Sequence, residues 1–441
     1  MSMLPPGWIE TLLGTVIDYG TTVKVEPENI ADDAWILELE DIEKDTSKIV
    51  GRFSFGERRS KSAKNHFIKG DVLYGKLRPY LNKVVVADSD GLCTTEIIPI
   101  KSAGATDNRY VFYWLKSPRF LSYTTEASHG LNMPRLGTEA GRKAPFVLAP
   151  LSEQKRIAKK LDDVLARVDA ARVRLDRVPM LLKRFRQTVL EAATSGKLTE
   201  GWRGAEEPQW RRICFNDACE EITVGHVGKM AEAYRESGIP FLRSLNVRPF
   251  KYDSNDLRYI SSEFHKTILK SRLRSGDVVV VRSGSPGQCC VIPEELNEAN
   301  CSDLVIIRPG EQLLPRYACI VINSEASQAH VRSKQVGVAQ QHFNVGSMKL
   351  TPLFLPPVEE QQEIVRRVES LFAVADKVQA QYECARERLE QITPAILAKA
   401  FRGGLVPQDP NDESAQELLE RVKTQASTAP SVRKKPRTLT N

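Results

Sequence analysis

The sequence is poor in the residues and spacings from which catalytic and metal centres are built. Its six histidines (His66, His129, His226, His265, His330 and His342) are scattered and do not recur at matched positions. The eight cysteines form neither a compact disulfide framework nor, with histidine, a zinc pattern, so reduced and mostly buried thiols in a cytoplasmic protein are expected. No GxGxxG follows a strand-like run, and GxxxxGK[ST], HExxH, CxxC and GxSxG are absent. Arg282-Ser283-Gly284-Ser285-Pro286-Gly287 lacks the lysine and helix of a phosphate loop and reads as a turn between strands. The Asn/Asp-Pro-Pro-aromatic signature of an amino-methyltransferase is missing, as is a nuclease-like cluster of paired acids. No run approaches the roughly 18 apolar residues of a membrane span. MSMLPPGWIE has no basic stretch leading into an apolar one, so no secretory signal is expected. No enzyme class finds its residues here.

What is present is a soluble composition, 41% hydrophobic and 27% charged over 441 residues, long enough for roughly two to four domains. The net charge of +7 favours nucleic acid only weakly, but its distribution says more. Nine Lys or Arg lie between Arg52 and Lys83 against two acids, and nine between Arg243 and Arg282 against four. Those two runs occupy corresponding places in a repeat. PLSEQKRIAKKLDDVLARVDAA from Pro150 aligns without a gap on PVEEQQEIVRRVESLFAVADKV from Pro357. At the same offset Glu153 meets Glu360, Gln154 meets Gln361, Leu190 meets Leu397 and Gly196 meets Gly403. With small insertions, Pro6-Gly7-Trp8 pairs with Pro208-Gln209-Trp210, WILELEDI from Trp35 with PFLRSLNV from Pro240, and Gly70-Asp71-Val72 with Gly276-Asp277-Val278. An ordered series of this kind signals duplication.

Each copy has two textures. Residues 1–150 and 203–356 carry short β-branched and aromatic runs punctuated by Gly, Pro and Asp-Gly, with short helical stretches between them, which predicts two similar α+β domains. Residues 151–202 and 357–406 are long amphipathic segments. The first places Leu161, Val164, Val168, Ala171, Leu175, Val178, Leu182, Phe185, Val189 and Ala192 at spacings of three and four. The second repeats the register with Ile364, Val368, Leu371, Ala375, Val378, Tyr382, Ala385, Leu389, Ile392 and Ile396. This is a coiled-coil stripe. Two such helices pack most economically on each other, with small Ala171, Ala375 and Ala385 admitting close approach. Run antiparallel over about 66 Å, they would act as a ruler longer than the roughly 34 Å turn of DNA. Pro179 and Pro394 predict a kink or break in each, and Gly196 and Gly403 a C-terminal cap. Residues 407–441 read as a largely flexible extension holding one short helix and ending in the basic APSVRKKPRTLTN.

The basic runs supply the candidate DNA contacts, since base edges and phosphates are met by Arg, Lys and small polar side chains. In the first head these are Arg58, Arg59, Lys61, Lys64, Lys76, Arg78 and Tyr80. In the second they are Arg243, Arg248, Lys251, Arg272, Arg282, Ser283 and Ser285. The scaffold residues repeat while the tips differ, GKLRPYLNK against RSGSPGQCC, so two DNA readers would read unlike sequences.

This arrangement resembles the specificity subunit of type I restriction–modification systems. The likeness is carried by Leu4-Pro5-Pro6-Gly7-Trp8, by Gly70-Asp71-Val72-Leu73 with Lys76-Leu77-Arg78-Pro79, by the helix openings at Pro150 and Pro357, and by the helix ends at Ala192–Leu198 and Ala400–Leu405. Gly-Lys-Leu-Arg-Pro is not repeated in the second head. The resemblance implies two target-recognition domains alternating with two long helices, and no catalytic activity in this chain. It further implies double-stranded DNA as ligand, two modification subunits that bind S-adenosylmethionine and methylate adenine, and two motor–nuclease subunits that use ATP and Mg2+. The chain itself would bind no cofactor and no metal. The rival readings are a protein-interaction scaffold with two β-rich heads, a standalone nuclease or methyltransferase, and the specificity subunit of another multisubunit defence complex.

Overall fold

The computed structural model describes residues 4–428 apart from 102–103, 131, 205–208, 297 and 334–342. Pro208 of the duplicated Pro-x-Trp and the basic 429–441 cluster lie outside the described residues. The chain is mixed helix and strand and forms two compact units, Met1–Leu175 with Ala385–Asn441, and Asp176–Cys384. Each unit therefore holds one head and part of both helical segments, a division the sequence boundaries at 150, 202, 356 and 406 did not anticipate.

In the first unit, strand Ile9–Leu12 pairs antiparallel with Pro145–Leu148, bringing the two ends of the head together. A five-stranded sheet runs Val23–Val25, Lys64–Phe67, Gly91–Cys93, Trp35–Leu37, Phe53–Ser54, and a three-stranded sheet runs Val84–Val86, Val72–Gly75, Ile97–Ile100. Helix Asn108–Leu115 starts where the Asp107 carboxylate accepts the amides of Arg109 and Tyr110, a standard use of aspartate on orphan N–H groups. Its Tyr110 and Trp114 meet Phe146 and Phe401 edge-on at 5.0–6.0 Å.

The second unit repeats this scheme. Arg211–Cys214 pairs with Pro352–Leu355. Parallel pairing of Ile36 with Leu92 and Leu37 with Cys93 recurs as Phe241 with Asn300 and Leu242 with Cys301. The Gly-Asp turns are also equivalent. Gly70 and Gly276 have φ of 91° and 86°, a region that favours glycine. Asp71 accepts the Ile68 amide at 3.0 Å and Asp277 the Arg274 amide at 2.9 Å. Burial lifts the Asp277 carboxyl above its ordinary pKa, against the Arg274 amide and the Arg308 guanidinium, which pull it down.

The first amphipathic segment is two helices, Leu151–Leu175 and Val178–Thr194, with Pro179 in the first turn of the second. There the missing N–H costs nothing, because no intrahelical acceptor awaits it. The second segment is one helix, Val358–Ala400, which runs through Pro394. Of the kink or break expected at Pro394, no break is seen, the helix being continuous: Leu397, Ala400 and Phe401 just beyond it are buried in the first unit's core, packing that offsets the roughly 3 kcal/mol of an internal proline. Among the seam positions Leu161, Val168, Leu182, Val189, Val368 and Ala375 are buried, while Leu175, Tyr382, Leu389 and Ile396 are half-buried. Ala171 and Ala385 are exposed, so they make no close helix approach. In the first unit Ile157 and Leu161 share a core with Leu397 and Ala400. In the second, Val189, Leu190 and Ala193 share one with Ile364 and Val368.

The duplicated Glu-Gln at the helix openings knits each unit together. Glu153 is buried and accepts the Trp8 indole N–H at 2.8 Å and the Gln408 amide at 3.2 Å. Glu360 is buried and accepts the Trp210 indole N–H at 2.9 Å and the Thr199 hydroxyl at 2.6 Å, with Arg203 as its ion pair. Gln154 donates to the carbonyls of Ala105 and Ala149, and Gln361 to those of Gln312 and Pro356. The segment expected to be largely flexible beyond residue 407 forms helix Ala415–Thr428 and packs through Ala415, Leu418 and Leu419. Asp412 pairs with Arg156 at 2.7 Å, the Ala415 amide donates to Gly7, and helix Ala415–Thr428 buries Ala415 and Leu418. Gly403 (φ 76°) sits where a Cβ would fall 2.1 Å from Pro5 Cγ, so only glycine fits.

Glu360→Ala strands the Arg203 charge and the Trp210 N–H, and is expected to cost about 3–5 kcal/mol. Arg186→Ala, at an exposed pair with Asp376, is expected to cost under about 1 kcal/mol. Urea denaturation of the full chain measures both, and equal losses would contradict this account.

Candidate nucleic-acid interface

Each head projects one hairpin tip from the strand that follows its Gly-Asp turn. In the first, Val72–Gly75 pairs with Val84–Val86 and residues 76–83 form the tip. Arg78 and Tyr80 are exposed and Lys76 half-buried, and none of these side chains has a polar partner among the described residues. Arg78 has φ of 50°, a conformation costing roughly 1–2 kcal/mol for a residue with a Cβ. It is held by buried Pro79 and by its own amide, which donates to the Pro134 carbonyl at 2.7 Å.

Arg59 and Lys61 are exposed and likewise unpaired among the described residues. They precede strand Lys64–Phe67, whose Asn65 donates to the Ile97 carbonyl, opposite Gly75 in the neighbouring register. The strand that follows Arg59 and Lys61 is thus tied to the strand that leads into the tip.

Arg58 and Lys64, by contrast, are paired. The Arg58 guanidinium is bound by Glu38, Glu40 and Asp41 and lies 4.3 Å over the Phe53 ring. Lys64 is buried, 3.1 Å from Ser62 Oγ and 3.7 Å from Glu38. The acids that claim them sit about twenty residues upstream, outside the basic run, so these two cations serve as internal ties.

The second head's tip, residues 282–288 between Val278–Val281 and Cys289–Val291, is more self-occupied. Arg282 donates to the Phe343 carbonyl and pairs with Asp303 at 3.6 Å, and Ser283 donates to the same carboxylate. Ser285 is exposed without a side-chain partner among the described residues. Arg243 binds Asp256 through both its carboxylate and carbonyl, holding that carboxyl below its ordinary pKa. Arg248 is an exposed partner of Asp253 at 3.5 Å, and Arg272 has its Nε buried without a hydrogen-bond partner among the described residues. Lys251 lies away from the tip. It lines a groove with Ser275, Gly276 and Phe372, and neighbouring Phe250 packs on Phe372 at 5.2 Å. Of the second-head candidates, Arg282, Ser283 and Ser285 share the tip, while Lys251 faces the long helix.

One element at the tips carried no signal in the basic runs. In the first head a narrow hairpin pairs His129 with Arg135 and bridges Arg135 to Leu77, and the Leu136 amide donates to the Lys76 carbonyl at 3.0 Å. In the second head the Phe343 amide donates to the Arg282 carbonyl at the same distance. Leu136 and Phe343 stand at the offset that relates Pro150 to Pro357, so the repeat alignment was the signal that reached this element. Among the described residues no group of three or more His, Cys, Asp or Glu is placed to hold a metal ion, and no helix is long and apolar enough to cross a membrane.

No protein-family model matches the chain. It is 33% identical over 336 residues to the specificity subunit of the type I restriction enzyme EcoKI of Escherichia coli K12, covering 72% of this chain and 71% of that one. The chain belongs to the type I restriction enzyme specificity subunits. The EcoBI specificity subunit of Escherichia coli is 32% identical, with 71% of each chain covered, and that of StySPI from Salmonella potsdam is 31% identical, with 72% and 71% covered. Among solved structures, a chain from a study of complex assembly and conformational transition of a type I R-M system aligns over 91% of this chain and 99% of its own, with a TM-score of 0.74 and 21% identity. The HsdS subunit from Thermoanaerobacter tengcongensis aligns over 91% and 98%, with a TM-score of 0.59 and 21% identity. These two likenesses speak for the fold.

In this specificity subunit the paired and unpaired cations separate by measurement. Arg58→Ala leaves the buried Asp41 carboxylate without its partner and is expected to lower stability by about 3 kcal/mol. Lys76→Ala and Arg78→Ala are expected to stay within about 0.5 kcal/mol of the parent. Thermal melts of the three variants test the division, which fails if Lys76→Ala destabilises as much as Arg58→Ala.

Proposed function

We propose that this specificity subunit reads a bipartite, asymmetric duplex DNA target, one half with each head, and performs no chemistry itself. The observation that carries the reading is the pair of hairpin tips: the same strand register and the same clamp to the following loop, with different side chains presented. Lys76, Arg78 and Tyr80 stand in one head, Arg282, Ser283 and Ser285 in the other. Arg, Lys and Ser donors suit base edges and phosphates, and Arg59 and Lys61 supply free charge in the first head. Each good base contact discriminates by roughly 1–3 kcal/mol, so a few per head define a target.

The long helices pair antiparallel as a coiled coil. This pairing is supported in the first unit by the start of one helical segment sharing a core with the end of the other, and in the second by the reverse. Their exposed faces dock the partners of the complex, two adenine-methyltransferase subunits and two motor–nuclease subunits. S-adenosylmethionine, ATP and Mg2+ belong to those partners, and the assembly works on DNA in the cytoplasm.

Single-molecule methylation mapping of host DNA, with and without this gene beside its methyltransferase partner, is the decisive test. The expected outcome is methylated adenine in one two-part sequence that disappears with the gene; an unchanged map sinks the proposal. A chimaera carrying another specificity subunit's first head in place of residues 13–148 should change one half of that sequence and leave the other intact. In duplex binding, Lys61→Ala and Lys76→Ala are each expected to reduce the salt dependence by about one counterion. An unaltered slope in both would remove the first tip from the interface.

A further inference from the structure

The geometry points to residues 132–135 as a second base-reading element of the first head, with Asn132 and Met133 as the side chains that touch duplex DNA. This rests on the reading of that head as a DNA reader and adds to it a segment outside the basic runs. The segment is bonded to the tip through its second arm, residues 134–136. Leu136 N–H donates to the Lys76 carbonyl, Arg78 N–H donates to the Pro134 carbonyl, and Leu77 bridges Arg135. Segments bridged in this way lie about 4.8 Å apart, whereas the major groove is roughly 12 Å wide. A groove edge that meets Arg78 therefore lies within reach of the neighbouring hairpin.

The hairpin's side chains divide by whether they are already occupied. Arg135 is bound to Glu96 at 3.1 Å and belongs to the scaffold. Asn132 and Met133 are both exposed, Met133 to 44%, and Asn132 has no side-chain partner among the described residues. Gly130 has φ of 111°, and a Cβ there would fall 3.0 Å from the Met133 carbonyl. An amide offers the donor and acceptor that match adenine N7 and N6, and an apolar side chain suits the thymine methyl group. An unpaired amide beside an exposed methionine, on a braced turn next to Arg78, is the chemistry of A·T readout in the major groove. The Pro134 carbonyl also holds Arg78 in its left-handed conformation, so the hairpin positions one reader while supplying two more.

The test uses the full chain assembled with its methyltransferase partner and selects bound duplexes from a randomised library. Asn132→Ala, Met133→Ala and the double variant are compared with the parent and with Arg78→Ala. The expected result is a loss of about tenfold in preference at one or two base pairs of a single half-site, with the other half-site unchanged as the internal control for folding. If Arg78→Ala blurs that half-site and the hairpin variants do not, the inference is overturned and the DNA-reading head stands. If none of the variants alters either half, both fail together. A uniform loss over both halves would assign the hairpin to backbone contact and also overturn base reading.

Discussion

A buried carboxylate at the start of each long helical segment is the constraint on which the rest depends. Glu153 and Glu360 sit where water cannot solvate them, so each must collect donors from the protein. The donors come from far along the chain. Trp8 and Gln408 reach Glu153, while Thr199, Arg203 and Trp210 reach Glu360. Satisfying one charge therefore fixes the entry strand of a head, the start of its outgoing helix, and the segment that follows the other helical segment. The adjacent glutamines extend the same logic, their amides satisfying two backbone carbonyls apiece at the junction of head and helix.

With the junction so determined, each head is free to vary at its far end. The Gly-Asp turns, the parallel strand pairs and the clamps from Leu136 and Phe343 are the same in both units. The tips they support differ in charge and in how far they are already committed. Lys76 and Arg78 are open, whereas Arg282 and Ser283 lean on Asp303. Asp303 itself has φ of 54°, so an acid in a left-handed backbone beside the second tip orients Arg282 and Ser283. The buried carboxylate junctions and the variable tips lie at opposite ends of each head, which lets one change without the other.

Much of this was legible in the sequence because duplication turns two weak signals into one strong one. The Gly-Asp turns, the Trp8 and Trp210 pair, the helix openings and the family resemblance all came from aligned residues. What escaped was whatever depends on distant partners. Arg58 and Lys64 counted as free cations because Glu38, Glu40 and Asp41 lie on a separate strand end that no basic-run count includes. Ala171 and Ala385 fitted the heptad register but not the buried face. Pro394 looked like a breaker because the core waiting for Leu397 and Phe401 belongs to residues nearly three hundred positions earlier, around Tyr110 and Trp114. The hairpin at 129–135 is short and carries a single arginine, so a search for charge passed over it.

The first unit is assembled from both ends of the sequence, and this has a consequence for how the protein is made. Residues 176–384 leave the ribosome as a contiguous block with all of their core partners present. The earlier-made first head, by contrast, still lacks Leu397, Ala400, Phe401, Ala415 and Leu419 from its apolar centre. Domains generally mature in the order of their synthesis; here the first unit cannot bury its full core until residues 397–419 have been made. Until then Tyr110 and Trp114 lack the Phe401 ring that packs on both of them in the folded unit.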